Sequence, residues 1–211
     1  MGKREEKQRE KLFLMTEYEK QHWQRKEYLI AGLDEAGRGP LAGPVVAACV
    51  IMPHDDLILG IDDSKKLSEK RREFLYDLIL EKAVDYSIGV VDNKTIDEIN
   101  ILNAARKAFQ MALDGLVVRP DFVYTDAMRI QTDLPYLSLV KGDAKVYTIA
   151  AASIVAKVTR DRMMLEYDKK YPEYYFAKHK GYGTKLHYEA IQKYGILEIH
   201  RRSFLKKILG E

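Results

Sequence analysis

The sequence is short of several things, and each shortage excludes something. One residue of 211 is cysteine. Cys49 therefore forms no disulfide within the chain, which fits a reducing compartment. The longest apolar runs, Val45–Met52 and Ile149–Ala156, fall far below the ~20 residues of a spanning helix, so a helical membrane protein is excluded. The opening residues, MGKREEKQREK, carry both signs of charge and no apolar stretch, so no secretory signal is expected. The five histidines, His22, His54, His179, His187 and His200, lack metal-ligand spacing, and one thiol builds no zinc site. His187 and His200 read as surface or helix-end residues. There is no Gly-rich phosphate loop ending in Gly-Lys-Ser/Thr and no nucleophile elbow, which argues against a P-loop nucleotidase and gives no support to a serine hydrolase.

What is present describes a soluble chain of one domain, expected in the cytoplasm: 46% of residues are apolar and 32% charged. The net charge of +3 is unevenly spread. Residues 28–140 hold 12 Lys+Arg against 18 Asp+Glu, and residues 141–211 hold 15 against 8. An acidic body joined to a basic C-terminal third suits cations in one part and a polyanion backbone in the other, although a solvated helical surface would look the same.

Residues 1–27 read as an N-terminal helical extension, with Phe13, Leu14, Met15, Tyr18 and Trp23 loosely at helical spacing. Residues 28–211 read as one domain. Tyr28–Leu33 is a short buried strand, and Val45–Met52 a second, joined through Gly/Pro turns as a hairpin. Ser68 caps a helix to about Ala83, with Phe74, Leu75, Leu78 and Ile79 on one face. Tyr86–Val91 is a third strand, Ile96–Leu116 a helix, Phe122–Thr125 a fourth strand and Leu137–Val140 a fifth. Ile149–Tyr167, Lys185–Tyr194 and Arg201–Leu209 complete the helices. The order argues for an α/β fold with a mixed β-sheet flanked by helices and a C-terminal helical part.

Asp34 and Glu35 stand where the first strand gives way to Gly37-Arg38-Gly39. Such a pair can simply face water; this one leaves a buried strand and precedes glycines that let backbone approach a ligand. Asp126 ends the fourth strand in the same way. Asp143 follows Gly142 just before the long helix, where capping is the alternative role. If the strands share a sheet, the four acids converge with no evident compensating Lys. A hard divalent cation, Mg²⁺ or Mn²⁺, would then be needed to hold them together. Two such ions ~3.5–4 Å apart can activate water and stabilise the leaving oxygen of a phosphodiester. Further along, Lys178–Lys185 joins cations to Tyr182 between two glycines, a ring able to stack on a sugar or base. Asp63–Lys66 is a polar turn that could touch a phosphate.

These segments resemble one family. GLDEAGRGPLAGPVVAA (Gly32–Ala48), DDSKKLS (Asp62–Ser68), VYTDAM (Val123–Met128), VKGDAKVYTIAAASIVAKVTRDR (Val140–Arg162) and HKGYGTKLH (His179–His187) follow the order of ribonuclease HII. The resemblance implies an RNase H-like fold and an endoribonuclease that cuts the RNA strand of RNA–DNA hybrids. It also implies cleavage 5′ of single ribonucleotides in duplex DNA, by two-metal-ion hydrolysis giving 3′-hydroxyl and 5′-phosphate ends. The active-site acids then fall on Asp34, Glu35, Asp126 and Asp143, the ribonucleotide-contacting turn on Gly37, Arg38 and Gly39, and the junction-sensing tyrosine on Tyr182. The expected partners are RNA–DNA hybrid and ribonucleotide-containing duplex, with no membrane, and the expected state is a monomer. Ala127 stands where many members have Gly, and Tyr147-Thr148 where Ser is frequent. The alternatives are a ribonuclease HIII-like hybrid nuclease, disfavoured by the Gly-Arg-Gly, a nuclease of the same fold cutting branched DNA, and a non-catalytic hybrid-binding module, disfavoured by four intact acids.

Overall fold

The computed structural model describes residues 2–210. Two helices open the chain, α1 (Lys3–Met15) and α2 (Glu17–Trp23). The extension breaks at Thr16, whose hydroxyl bonds back to the Leu12 and Phe13 carbonyls. Strands β1 (Ile30–Ala36) and β2 (Val45–Ile51) follow, then α3 (Glu69–Lys82), β3 (Asp85–Val91), α4 (Asn93–Asp114), β4 (Phe122–Asp126) and β5 (Tyr136–Leu139). Next come α5 (Tyr147–Lys170), α6 (Phe176–His179), α7 (Lys185–Tyr194) and α8 (Lys206–Leu209).

The sheet has five strands in the order β3-β2-β1-β4-β5. The β1–β2 and β2–β3 pairs are antiparallel, as the Gly/Pro turn suggests, and β1–β4 and β4–β5 are parallel. The mixed sheet flanked by helices and the C-terminal helical part stand as expected. One face packs on α4 through Ala31, Leu33 and Val123 against Ala105, Ala108 and Phe109. The other packs on α5 and α3. Side chains alternate along a strand, so Ile30, Gly32 and Asp34 share the α5 face of β1. Gly32 is required there: a Cβ would lie 2.1 Å from the Thr148 carbonyl carbon. With Ala150, Ala151 and Ala152 fully buried, α5 sits directly on the strand.

Several local expectations are corrected. β1 runs three residues past Leu33, because pairing with β2 continues to Ala36↔Val46, so Asp34 and Glu35 lie within the strand. Ser68 does cap α3, accepting from the Arg71 amide, but Phe74 points outward under the Arg71 guanidinium while Tyr76 takes a core position. The helix α4 kinks at Asn100 (φ 65), whose side chain accepts from the Leu102 and Asn103 amides and restarts the helix. Arg201–Leu209 is a short turn (Arg202–Phe204) followed by α8 rather than one helix.

Candidate active site

The parallel register of β1 and β4 ends at Leu33↔Thr125. The next residue of each strand is an aspartate, and alternation turns both toward α5. Asp143 comes from the turn Gly142–Ala144 between β5 and α5. Carboxylate oxygens of Asp34, Asp126 and Asp143 lie within 4.8 Å of one another. Asp143 does not cap α5, whose N-cap is Val146. The Asp126 Oδ1 accepts from the Gly142 amide at 2.7 Å, tying the end of β4 to the turn that carries Asp143. Ala127 takes a left-handed φ of 49, a conformation in which glycine would be unstrained.

Glu35 lies outside this triad. Its Oε1 is 3.5 Å from the Arg38 guanidinium, and its Oε2 is buried without a protein partner. Burial raises the Asp34 carboxyl well above the ordinary range, and Glu35 and Asp126 push it the same way. Burial also raises Glu35 and Asp126, against the opposing pull of Arg38 on the first and of the Gly142 amide on the second. A compensating lysine stands beside the triad after all: the Lys65 amine lies 3.6 Å from Asp143. Partial burial works against its charge, but Asp143, Asp34, Asp63 and Asp126 outweigh that and raise its pKa.

A cleft of about 230 Å³ opens beside the acids, lined by Glu35, Gly37–Gly39, Lys65, Lys157 and Tyr182. A Cβ on Gly39 would sit 3.6 Å from the Tyr182 ring. The glycine turn and the tyrosine, distant in sequence, are thus opposite walls of one cleft. The donor set fits a hard divalent cation: clustered carboxylates, one unpartnered buried oxygen beside them, and too little positive charge to neutralise them.

Three histidines pack behind Tyr182, and two of them depart from the sequence expectation. His187 and His200 are buried, not superficial, and His179 stacks on His187 at 4.5 Å. The Leu197 amide donates to His200 Nδ1, so His200 Nε2–H donates to His187 Nε2, and His187 Nδ1–H donates to the Tyr182 carbonyl. Each ring is thereby held neutral in one tautomer. Burial lowers His187 and His200 from 6.5 to about 4. With folded values below unfolded ones, the unfolded chain binds protons first as pH falls. The stabilisation is complete above ~6.5 and is lost as pH falls toward ~4. Between ~pH 7 and ~pH 5 each ring should cost of order 1–2 kcal/mol. Urea midpoints at the two pH values measure this, and H200Q should flatten the dependence.

Residues 31–207 match the family model described as Ribonuclease HII. A "Ribonuclease HII" of Acetivibrio thermocellus is 57% identical over 205 residues, 97% of this chain and 80% of the relative. One from Clostridioides difficile is 53% identical over 204 residues, 96% of this chain and 80% of the relative. Among solved structures, the ribonuclease H2 of Pyrococcus horikoshii superposes with a TM-score of 0.71 at 31% identity, covering 82% of this chain and 92% of that one, and carries the RNase H-like fold.

Proposed function

The chain belongs to the ribonuclease HII family, and from that premise we propose that Asp34, Glu35, Asp126 and Asp143 form its catalytic metal centre. It is a metal-dependent endoribonuclease acting on RNA–DNA hybrids. The observation that carries the site reading is the meeting of Asp34, Asp126 and Asp143 beside Glu35 and Lys65, which line a cleft walled by Gly37–Gly39 and Tyr182.

Hard oxygen donors select Mg²⁺ or Mn²⁺ as the resident ion. When bound, such ions activate water and neutralise the departing oxygen of a phosphodiester. The remaining steps belong to the chain. Backbone groups of Gly37, Arg38 and Gly39 contact the 2′-hydroxyl, the group that separates RNA from DNA. The Tyr182 hydroxyl adds a hydrogen bond, and its ring stacks on the neighbouring sugar. A deoxynucleotide leaves those groups unpaired in a buried site, which is costly. Lys65 and Lys157 line the cleft as phosphate ligands, and the basic C-terminal third holds the flanking backbone. Cleavage falls 5′ of the ribonucleotide and leaves a 3′-hydroxyl and a 5′-phosphate.

Residues 28–211 carry all of these groups, and residues 1–27 are a helical brace. The enzyme works as a cytoplasmic monomer on this reading, since every group it uses comes from one chain.

A DNA duplex carrying one ribonucleotide, incubated with and without Mg²⁺ and mapped to the base, tests the reading. One nick 5′ of the ribonucleotide, dependent on metal, is expected. Tyr182→Ala should slow that cut by about ten- to a hundredfold while the fold survives, because the residue is 43% exposed and belongs to no core cluster. An unchanged rate would reject the sensor role.

A further inference from the structure

Two arginines of the core take no part in the reaction as described. Arg160 on α5 is 1% exposed and Arg201, after His200, is 0% exposed. No salt bridge to a carboxylate joins either of them among the described residues. Asp161 and Asp97 act on them only from beyond ion-pair distance. A buried guanidinium with no carboxylate paired to it is costly, and an apolar side chain of similar volume would fill the space more cheaply. What the guanidinium offers instead is a planar fork of five donors in fixed directions.

Those donors go to main-chain carbonyls of the segment that walls the cleft. Arg201 donates to the carbonyls of Gly37 at 2.7 Å, Arg38 at 3.0 Å, Gly43 at 2.8 and 3.0 Å and Pro44 at 3.0 Å. Arg160 donates to Pro44 at 2.9 Å, to Ala42 at 3.1 Å and, across the cleft, to Lys180 at 3.0 Å. A peptide group is planar, with its carbonyl and N–H pointing in opposite directions. Fixing the Gly37 and Arg38 carbonyls on Arg201 therefore aims the Arg38 and Gly39 amides away from it. Fixing Lys180 on the same guanidinium that holds Ala42 and Pro44 sets how far Tyr182, two residues on, stands from the glycine turn. Gly37 closes on this clamp so tightly that a Cβ would lie 2.1 Å from Arg160 Nε.

We propose that Arg201 and Arg160 are specificity-positioning residues, a two-guanidinium clamp that fixes the glycine turn and its distance from Tyr182 and so sets the preference for a ribonucleotide over a deoxynucleotide. The clamp rests on the reading that Gly37–Gly39 and Tyr182 meet the ribose. Neither arginine touches substrate.

The test compares affinity for a duplex carrying one ribonucleotide with affinity for the same duplex in all-DNA form, in Ca²⁺, for wild type, R201K, R160K and Y182A. Lysine keeps the charge and loses the fork. R201K should lose about tenfold of the wild-type ribonucleotide preference, with all-DNA affinity within about twofold. R160K, which breaks three bonds rather than five, should shift the preference the same way, and it carries the test if R201K does not fold. Folded lysine variants with an unaltered preference, or with both affinities falling together, overturn the clamp, and a reduced preference in Y182A then shows that the reading beneath it survives. A preference unaltered in Y182A overturns that reading and the clamp with it.

Discussion

Asp34→Asn is expected to lower cleavage of a hybrid by at least ~10³ while leaving the metal-free protein as stable as wild type or more so. The activity loss follows from the position of Asp34, one of the two buried members of the carboxylate group formed with Asp126 and Asp143. Asparagine keeps the acceptor for the Glu35 amide but brings no charge to hold a cation. The stability effect has the opposite sign. Burial raises the Asp34 pKa well above 3.8, with Glu35 and Asp126 adding to it. A carboxyl raised in the folded state stabilises most below its unfolded pKa, and that contribution is lost as pH rises through the folded value. Above its unfolded value the carboxyl therefore opposes folding until a divalent ion binds, and Asn removes that opposition. Initial rates in Mg²⁺ and thermal melts with and without Mg²⁺ measure both halves. The wild-type melting temperature should rise with the ion, and that of the variant should rise less. Turnover near wild type would remove Asp34 from the metal centre.

The acids were legible because strand chemistry is periodic. An apolar run ending in an acid, twice, becomes a shared site once the two strands are parallel neighbours in register. The sequence does not declare that register, and the pairing Leu33↔Thr125 supplies it. The same periodicity explains why adjacent Asp34 and Glu35 part company: one joins the triad, the other turns to Arg38. Lys65 looks in the sequence like a residue of a polar turn, because nothing local says that this turn folds against Asp143. The buried histidines and arginines were illegible for a different reason. Their partners are main-chain carbonyls and amides, present at every residue, so composition and spacing hold no trace of which ones will face His187 or Arg201. The family resemblance named Gly37–Gly39 and Tyr182 but not the groups behind them.

Removal of residues 1–27 is expected to destabilise the protein by about 5 kcal/mol or more, a large share of what an ordinary domain has, without altering any residue that lines the cleft. The extension is woven into the body. Met15 is 2% exposed and belongs to the same core as α5 and β2. Tyr18 and Trp23 cover the cluster of Ile30, Tyr124, Val146 and Ile149, and His22 Nε2 bonds the Tyr124 hydroxyl at 2.8 Å. Glu19 reaches the start of α5, where it accepts from the Thr148 amide and hydroxyl and supplies the cap that Val146 cannot. Burial raises the Glu19 carboxyl to about 7, partly offset by those same bonds, so its removal relieves some desolvation while orphaning the Thr148 amide. Apolar exposure outweighs that relief. The turn carrying Asp143 leads straight into this end of α5, so fraying there should reach the metal centre as the truncated chain is warmed. Thermal melts of the two forms, with cleavage measured well below the lower midpoint, separate the effects. Activity per folded molecule should hold at low temperature and fail early on heating. A folded truncation that is inactive at every temperature would place part of the catalytic machinery in the extension.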